Sequence, residues 1–256
     1  MSPRRVRLDA ELVSQGFFRT RDDALRAVMA GDVSTSDRRL ERPGEQVLPG
    51  IELHVRGQLP YVSRGGLKLE RGLAAFGVDP RSLRCLDVGC STGGFTDCLL
   101  QHGAARVLAV DVGFAQFDWS LRNDERVELL ERTRMEDLAG TGRAGSVDLA
   151  VCDVSFTSVE RVLPAVLELL GAGATFLTLV KPQFEAPREQ VGEGGVVRSA
   201  RVRAAAVGRV SAAFERAGLA LVPPVDGFAA AFGTAVESPI HGAKGNVEYL
   251  LCGRLS

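Results

Sequence analysis

Apolar positions recur along this chain with two different periods, and the change of period divides it in two. Val6, Leu8, Leu12 and Val13 fall on one face at helical spacing, which predicts a short helix over 6–12 stopping near Gly16. Thr20 followed three residues later by Asp23 is a capping-box variant. Ala24, Leu25, Val28 and Met29 then continue at helical spacing, so a second helix is predicted up to Gly31. Val47-Leu48 and the run from Ile51 to Val55 read as short strands around the turn pair Pro49-Gly50. Residues 1–57 are thus expected to form a small α+β unit, followed by a linker at 58–64.

From Leu67 onward the pattern lengthens. Strands are predicted at 84–88, 107–110, 127–130, 149–153, 175–180, 219–222 and 247–252, with helical stretches between most of them, including 159–170 and 201–217. Alternation of this kind implies an α/β fold, a mostly parallel sheet covered by helices on both faces. No internal repeat is visible.

Composition narrows the picture. With 45% hydrophobic residues the chain can build a real core, and a formal charge of −1 argues against a generally basic nucleic-acid coat. Charge can be local, however: the first 64 residues carry eleven arginines against nine carboxylates, a formal +2, with Arg4, Arg5 and Arg7 clustered at the start. That suits either a modest electrostatic footprint or a solvated tail. Five cysteines without a CxxC pair, beside three histidines, are expected to be reduced thiols packed as small apolar groups, with no metal. No charged-then-apolar leader opens the chain, and no apolar stretch approaches the ~20 residues that cross a bilayer. A cytoplasmic protein without a membrane partner is expected.

The first strand of the second unit ends in Leu86-Asp87-Val88-Gly89-Cys90-Ser91-Thr92-Gly93-Gly94-Phe95-Thr96. Glycines there let the backbone turn tightly and approach a ligand, and Asp111, ending the next strand, can accept hydrogen bonds from ribose hydroxyls. The glycines read G-x-x-x-G-G rather than G-x-G-x-x-G, and Asp87 at their head would repel a pyrophosphate. A cationic ligand with an amino acid end suits it better, and S-adenosylmethionine has that character. A purely structural turn remains the alternative. Asp137 lies where an adenine amino group could be bound, or is simply a solvated loop acid.

Only three of the 31 basic residues are lysines: Lys68, Lys181 and Lys244. What lysine offers over arginine is an amine that can lose its proton when buried or crowded. Lys181 follows one strand and Asp153 ends the neighbouring one, so both reach one crevice. A ribose 2′-hydroxyl is a weak acid whose attack on a sulfonium methyl is helped by a base, and Lys181 is the candidate. Its proton would be driven off by burial and by Lys68 as a second cation, with Asp153 and Glu248 orienting the pair. Ordinary structural ion pairs are the alternative.

These motifs, together with Tyr61–Leu69, Asp111-Val112-Gly113, the residues 119–124, Val180–Phe184, Gly194–Val197 and Gly245–Leu250, resemble the hemolysin-A-like (TlyA) ribosomal RNA 2′-O-methyltransferases over nearly the whole chain. The resemblance implies an S4-like RNA-binding domain joined to an FtsJ-like, Rossmann-like methyltransferase domain over 65–256. It also implies S-adenosylmethionine as cofactor and a Lys-Asp-Lys-Glu tetrad at Lys68, Asp153, Lys181 and Glu248. Gly89, Ser91, Gly93, Gly94 and Phe95, with Asp87, Asp111, Asp137 and Asp153, become the expected cofactor contacts. Arg4, Arg5, Arg19, Arg21 and Arg64 become the expected contacts to RNA within ribosomal subunits. A small-molecule O-methyltransferase and a non-catalytic ribosome-binding protein are the competing readings.

Overall fold

The computed structural model describes every residue except 1–4, 16, 19, 36, 37, 57–59 and 243. The first unit runs β1 (Val6–Arg7), α1 (Leu8–Ser14), α2 (Arg21–Ala30), β2 (Val33–Ser34), β3 (Gln46–Val47) and β4 (His54–Val55). Val6 and Arg7, expected to be helical, are instead extended and pair antiparallel with β3. The Leu8 and Asp9 amides donate to the Glu45 and Pro43 carbonyls, which holds the start of α1 against the β3 side of the unit. The second helix follows its sequence signals: Thr20 accepts from the Asp23 amide at one end, and Gly31 closes the other with φ 76°. The strand expected from Ile51 is reduced to its last two residues, because the Ile51 amide turns back to the Leu48 carbonyl. Leu8, Leu12, Val28, Leu40 and Leu53 are buried together in a core belonging to this unit alone.

Residues 61–64, expected to be linker, pack onto the second unit. Tyr61 is buried, and its ring lies so close over Gly66 that a Cβ there would stand 2.2 Å from it. The Val62 amide donates to Asp97 at 2.7 Å.

The second unit then runs α3 (Gly65–Phe76), β5 (Arg84–Val88), α4 (Gly94–Gln101), β6 (Arg106–Val110), α5 (Trp119–Arg122), β7 (Val127–Leu130), β8 (Val147–Cys152), α6 (Val159–Leu169) and β9 (Leu170–Val180). It closes with α7 (Pro182–Glu185), α8 (Ala200–Arg216), β10 (Leu219–Leu221), β11 (Val236–Glu237) and β12 (Tyr249–Leu255). Its strands form one sheet in the order β10-β12-β9-β8-β5-β6-β7, with β11 paired to β12. β5 to β9 are parallel, whereas β12 is wedged antiparallel between β9 and β10.

Successive residues of each parallel strand face opposite ways, as the pleat requires. Leu86, Leu108, Ala150 and Phe176 join the core that includes α6 and α8, while Cys85, Val107, Leu149 and Leu177 join the one that includes α3 and α4. Burial on both faces explains why these strands read as continuous apolar runs. After β7 the chain crosses back to lay β8 on the other side of β5. The crevice at the carboxyl ends of β5 and β8 is therefore the topological switch point, where open sheets of this kind bind ligands.

Candidate active site at the switch point

The turn from β5 into α4 needs its glycines. Gly89 has φ 81°, and a Cβ on it would lie 3.1 Å from the Asp153 carbonyl oxygen, so only glycine lets the ends of β5 and β8 approach this closely. A Cβ on Gly94 would lie 2.1 Å from Ser63 Oγ. Ser91 also adopts a positive φ of 48°, and its amide donates to Asp111 Oδ2 at 2.8 Å. The Gly113 amide donates to Asp111 Oδ1 at 2.6 Å. Asp111 thus ties the glycine turn to the end of β6, and each of its oxygens retains a further lone pair.

Beneath the turn Asp87 is fully buried. Its Oδ2 accepts from Thr96 Oγ1 at 2.7 Å, while Oδ1 has no hydrogen-bond partner among the described residues. Burial, assisted by the nearby Asp153 and Asp111 charges and opposed by the Thr96 hydrogen bond, pushes its carboxyl up to about 7. An orphaned acid under a glycine cradle fits a cationic ligand head, because an incoming ammonium would supply the missing donor.

The cradle opens onto a cavity of about 580 Å³ lined by Gly89–Thr92 and Gly94 on one side and by Lys68, Asp153, Lys181 and Glu248 on the other. Four separate segments supply these side chains: α3, the end of β8, the end of β9 and the approach to β12. Lys68 Nζ lies 2.7 Å from Glu248 Oε2, and Lys181 Nζ lies 2.6 Å from Asp153 Oδ1. Lys181 also donates to Ser155 Oγ at 2.8 Å. Lys181 and Glu248 are 7% and 2% exposed, so one member of each pair is buried while Asp153 and Lys68 keep some contact with the open cavity.

The expected neutral amine is not what this arrangement holds at rest. Burial pulls the Lys181 pKa down, but Asp153 and Glu248 outweigh it and leave the group above its ordinary value. The physical reason is that two carboxylates face the amine, while Lys68, expected to act as a repelling cation, is paired with one of them, Glu248. Lys181 is therefore an ammonium in the unliganded site.

Other expected residues fall elsewhere. Asp137 is exposed and accepts from the Arg134 amide at 3.0 Å, capping a short 3-10 turn outside the cavity lining. Arg64, expected on an RNA-facing surface, turns inward: it donates to Gln15 Oε1 at 2.6 Å and lines the cavity, and burial lowers its pKa. It bridges the two units. Arg21 is held by Asp9, at 3.0 Å, which Arg7 also binds at 2.7 Å. Arg5 reaches the Gln46 carbonyl at 3.0 Å. Arg4 and Arg19 lie outside the described residues.

Several groups at the site were given no role of their own from the sequence. Ser155 and Gln183 face the cavity, and Gln183 Oε1 is buried without a partner among the described residues. Phe156 is 92% exposed with φ 63°, a conformation costly for an aromatic residue, and its ring lies 5.3 Å from that of Phe184 at the cavity wall. Arg39 and Arg42 stand exposed on the first unit beside Arg38, which is paired with Glu45. Among the described residues no cluster could hold a metal ion, and all five cysteines are free and buried.

Comparison with known proteins adds the following. Residues 61–255 match the model of the FtsJ-like methyltransferases. The 16S/23S rRNA (cytidine-2′-O)-methyltransferase TlyA of Mycobacterium tuberculosis is 43% identical over 97% of this chain and 89% of its own. Hemolysin A of Brachyspira hyodysenteriae is 35% identical over 96% of this chain and 98% of its own. A solved structure from Streptococcus thermophilus, provisionally named a hemolysin, superposes with a TM-score of 0.73 at 39% identity, covering all of this chain and 90% of that one.

Proposed function

Because the chain belongs to the FtsJ-like methyltransferase family, we propose that it methylates the 2′-hydroxyl of a ribose, a cytidine's, in ribosomal RNA, using S-adenosylmethionine. The observation that carries this reading is the convergence of the Lys68–Glu248 and Lys181–Asp153 pairs on the cavity that the glycine cradle opens into. S-adenosylmethionine, when bound, supplies a methyl group on a cationic sulfur. Gly89 and Gly94 on the lining, with Gly93 turning the chain between β5 and α4, would hold it close to the backbone; the spare lone pairs of Asp111 would accept from its ribose, and Asp87 would answer its charge.

On the acceptor side, Lys181 is the base. Its Nζ takes the proton of the 2′-hydroxyl as the oxygen attacks, Asp153 holds the resulting ammonium, and Glu248 does the same for Lys68. The amine must first lose the proton it carries at rest, so turnover rises with pH until Lys181 titrates. Phe156 and Phe184 offer ring faces on which a base turned out of an RNA strand can stack, and base–aromatic stacking contributes ~1–3 kcal/mol. The first unit, read as S4-like, docks on folded RNA through phosphates and shape, with Arg5 and Arg21 and the newly seen Arg39 and Arg42 as its contacts. Among the described residues no helix is long and apolar enough to cross a membrane.

The test is transfer of labelled methyl from S-adenosylmethionine to separated, unmodified ribosomal subunits, with Lys181→Ala alongside. Label is expected in RNA, at a position where the neighbouring phosphodiester resists alkali, and its loss is expected in the variant. Label in a base, or none in either subunit with a folded protein, would overturn the proposal.

A further inference from the structure

We infer that Ser155 is a positioning residue that fixes the rotation of the Lys181 amine, leaving one defined direction for its lone pair. This rests on Lys181 being the base. A lysine ammonium has three donors and rotates freely about its last bond unless acceptors hold it. Here the one short hydrogen bond is to Ser155 Oγ at 2.8 Å, beside an ion pair with Asp153 Oδ1 at 2.6 Å whose geometry is not that of a hydrogen bond. The remaining contact, to the Asp153 main-chain oxygen, is 3.5 Å, at the limit of hydrogen bonding. A proton held no more tightly than that is the one most easily given up.

One acceptor alone would leave the amine free to swing about the Lys181–Asp153 axis. The second is supplied by a turn built for the purpose: immediately after Ser155 the backbone enters the left-handed region at Phe156 (φ 63°). The chain thereby presents neighbouring side chains differently, with the serine hydroxyl on Lys181 and the phenylalanine ring in the open. Ser155 contributes no proton and needs no ionisation. It accepts a hydrogen bond from the ammonium, which stabilises the charged form, and its removal therefore lowers the pKa of Lys181.

The experiment compares the wild-type chain with Ser155→Ala, Ser155→Thr and Lys181→Ala, measuring kcat against pH, KM for ribosomal RNA, cofactor affinity and thermal stability. Ser155→Ala should lose about 10- to 100-fold in kcat, the usual weight of a hydrogen bond to a charged group, with cofactor affinity and KM unchanged. The alkaline rise of its pH profile should move to lower pH. Ser155→Thr, which keeps the hydroxyl, should return the profile toward wild type. Wild-type kcat and an unmoved pH rise in Ser155→Ala would overturn the inference, as would a loss confined to KM. If Lys181→Ala keeps full turnover, it is the base assignment that fails, which the serine variants alone would not reveal.

Discussion

Gly242 is the most telling position at which to perturb the site without touching a charged group. A Cβ placed there would stand 2.5 Å from Glu248 Oε1 and 3.2 Å from Glu248 Cδ. To reach an ordinary contact of 3.4 Å, the carboxylate of a Gly242→Ala variant must retreat by about 0.9 Å. An exposed glutamate would simply swing aside. Glu248 is 2% exposed and its other oxygen is bonded to Lys68 at 2.7 Å, so a movement of that size exceeds what the bond can absorb. Weakening a charge-assisted hydrogen bond costs ~1.5–3 kcal/mol, which corresponds to roughly 10- to 150-fold in rate if Glu248 acts through Lys68. Single-turnover methyl transfer to ribosomal RNA should show that loss, while calorimetry shows unchanged cofactor binding, since the glycine cradle belongs to other segments. Adding Glu248→Asp, one methylene shorter, should recover part of the rate. Full activity of Gly242→Ala at unchanged thermal stability would refute the idea that the Lys68–Glu248 pair matters to turnover.

Three further expectations concern other parts of the molecule. The carboxyl of Asp87 is raised to about 7 from 3.8, so the folded chain holds its proton more tightly than the unfolded one. That contribution is complete below about pH 4 and is lost as pH rises through about 7, so the melting temperature of the unliganded protein should fall over that window. Asp87→Asn should flatten the fall and weaken cofactor binding; equal slopes would contradict the burial argument. Gly66→Ala forces a methyl to within 2.2 Å of the buried Tyr61 ring and should destabilise by ~1–3 kcal/mol or more, read as a lowered denaturation midpoint. Phe156→Ala should lower kcat/KM for RNA by roughly 5- to 150-fold with no loss of stability, because its ring is 92% exposed and its positive φ is strained. A drop in melting temperature instead would show that the ring supports the fold.

Much of the second unit was legible in the chain. Strands 84–88 and 127–130 begin and end where the apolar runs do, and α8 differs from the predicted helix by one residue at each end. These segments are buried on both faces or amphipathic over many residues, so their period is strong. Strand direction is another matter. Nothing in Tyr249–Leu255 marks it as antiparallel, because pleat and burial are the same whichever way a strand runs. The first unit was less readable for the same kind of reason: two-residue strands such as Val6–Arg7 carry no period, and their pairing is decided by a partner some 40 positions away.

At the site, the residues with a reason to be charged were legible and their state was not. Lys181 was recognisable as a strand-end lysine. That it is held as an ammonium depends on Asp153, Ser155 and Glu248 converging in space, and the nearest of these is 26 positions away in sequence. Asp137, an acid in a suggestive place, is exposed, with one carboxylate oxygen accepting from a local backbone amide, a contact no sequence period announces. Ser155 gave no signal at all, since a hydroxyl after an aspartate is unremarkable until its lysine is in place.

The Lys68–Glu248 and Lys181–Asp153 pairs sum to no formal charge, and the other charged residues on the lining, Arg64, Lys244 and Glu52, leave it only one positive. A reaction centre so nearly balanced has little pull on a polyanion. Capture of RNA would then fall to arginines on the outer surface, and the interior would be free to respond to acidity alone. Ionic strength and pH become independent dials on such a protein, one governing how often an acceptor arrives and the other what happens once it is there.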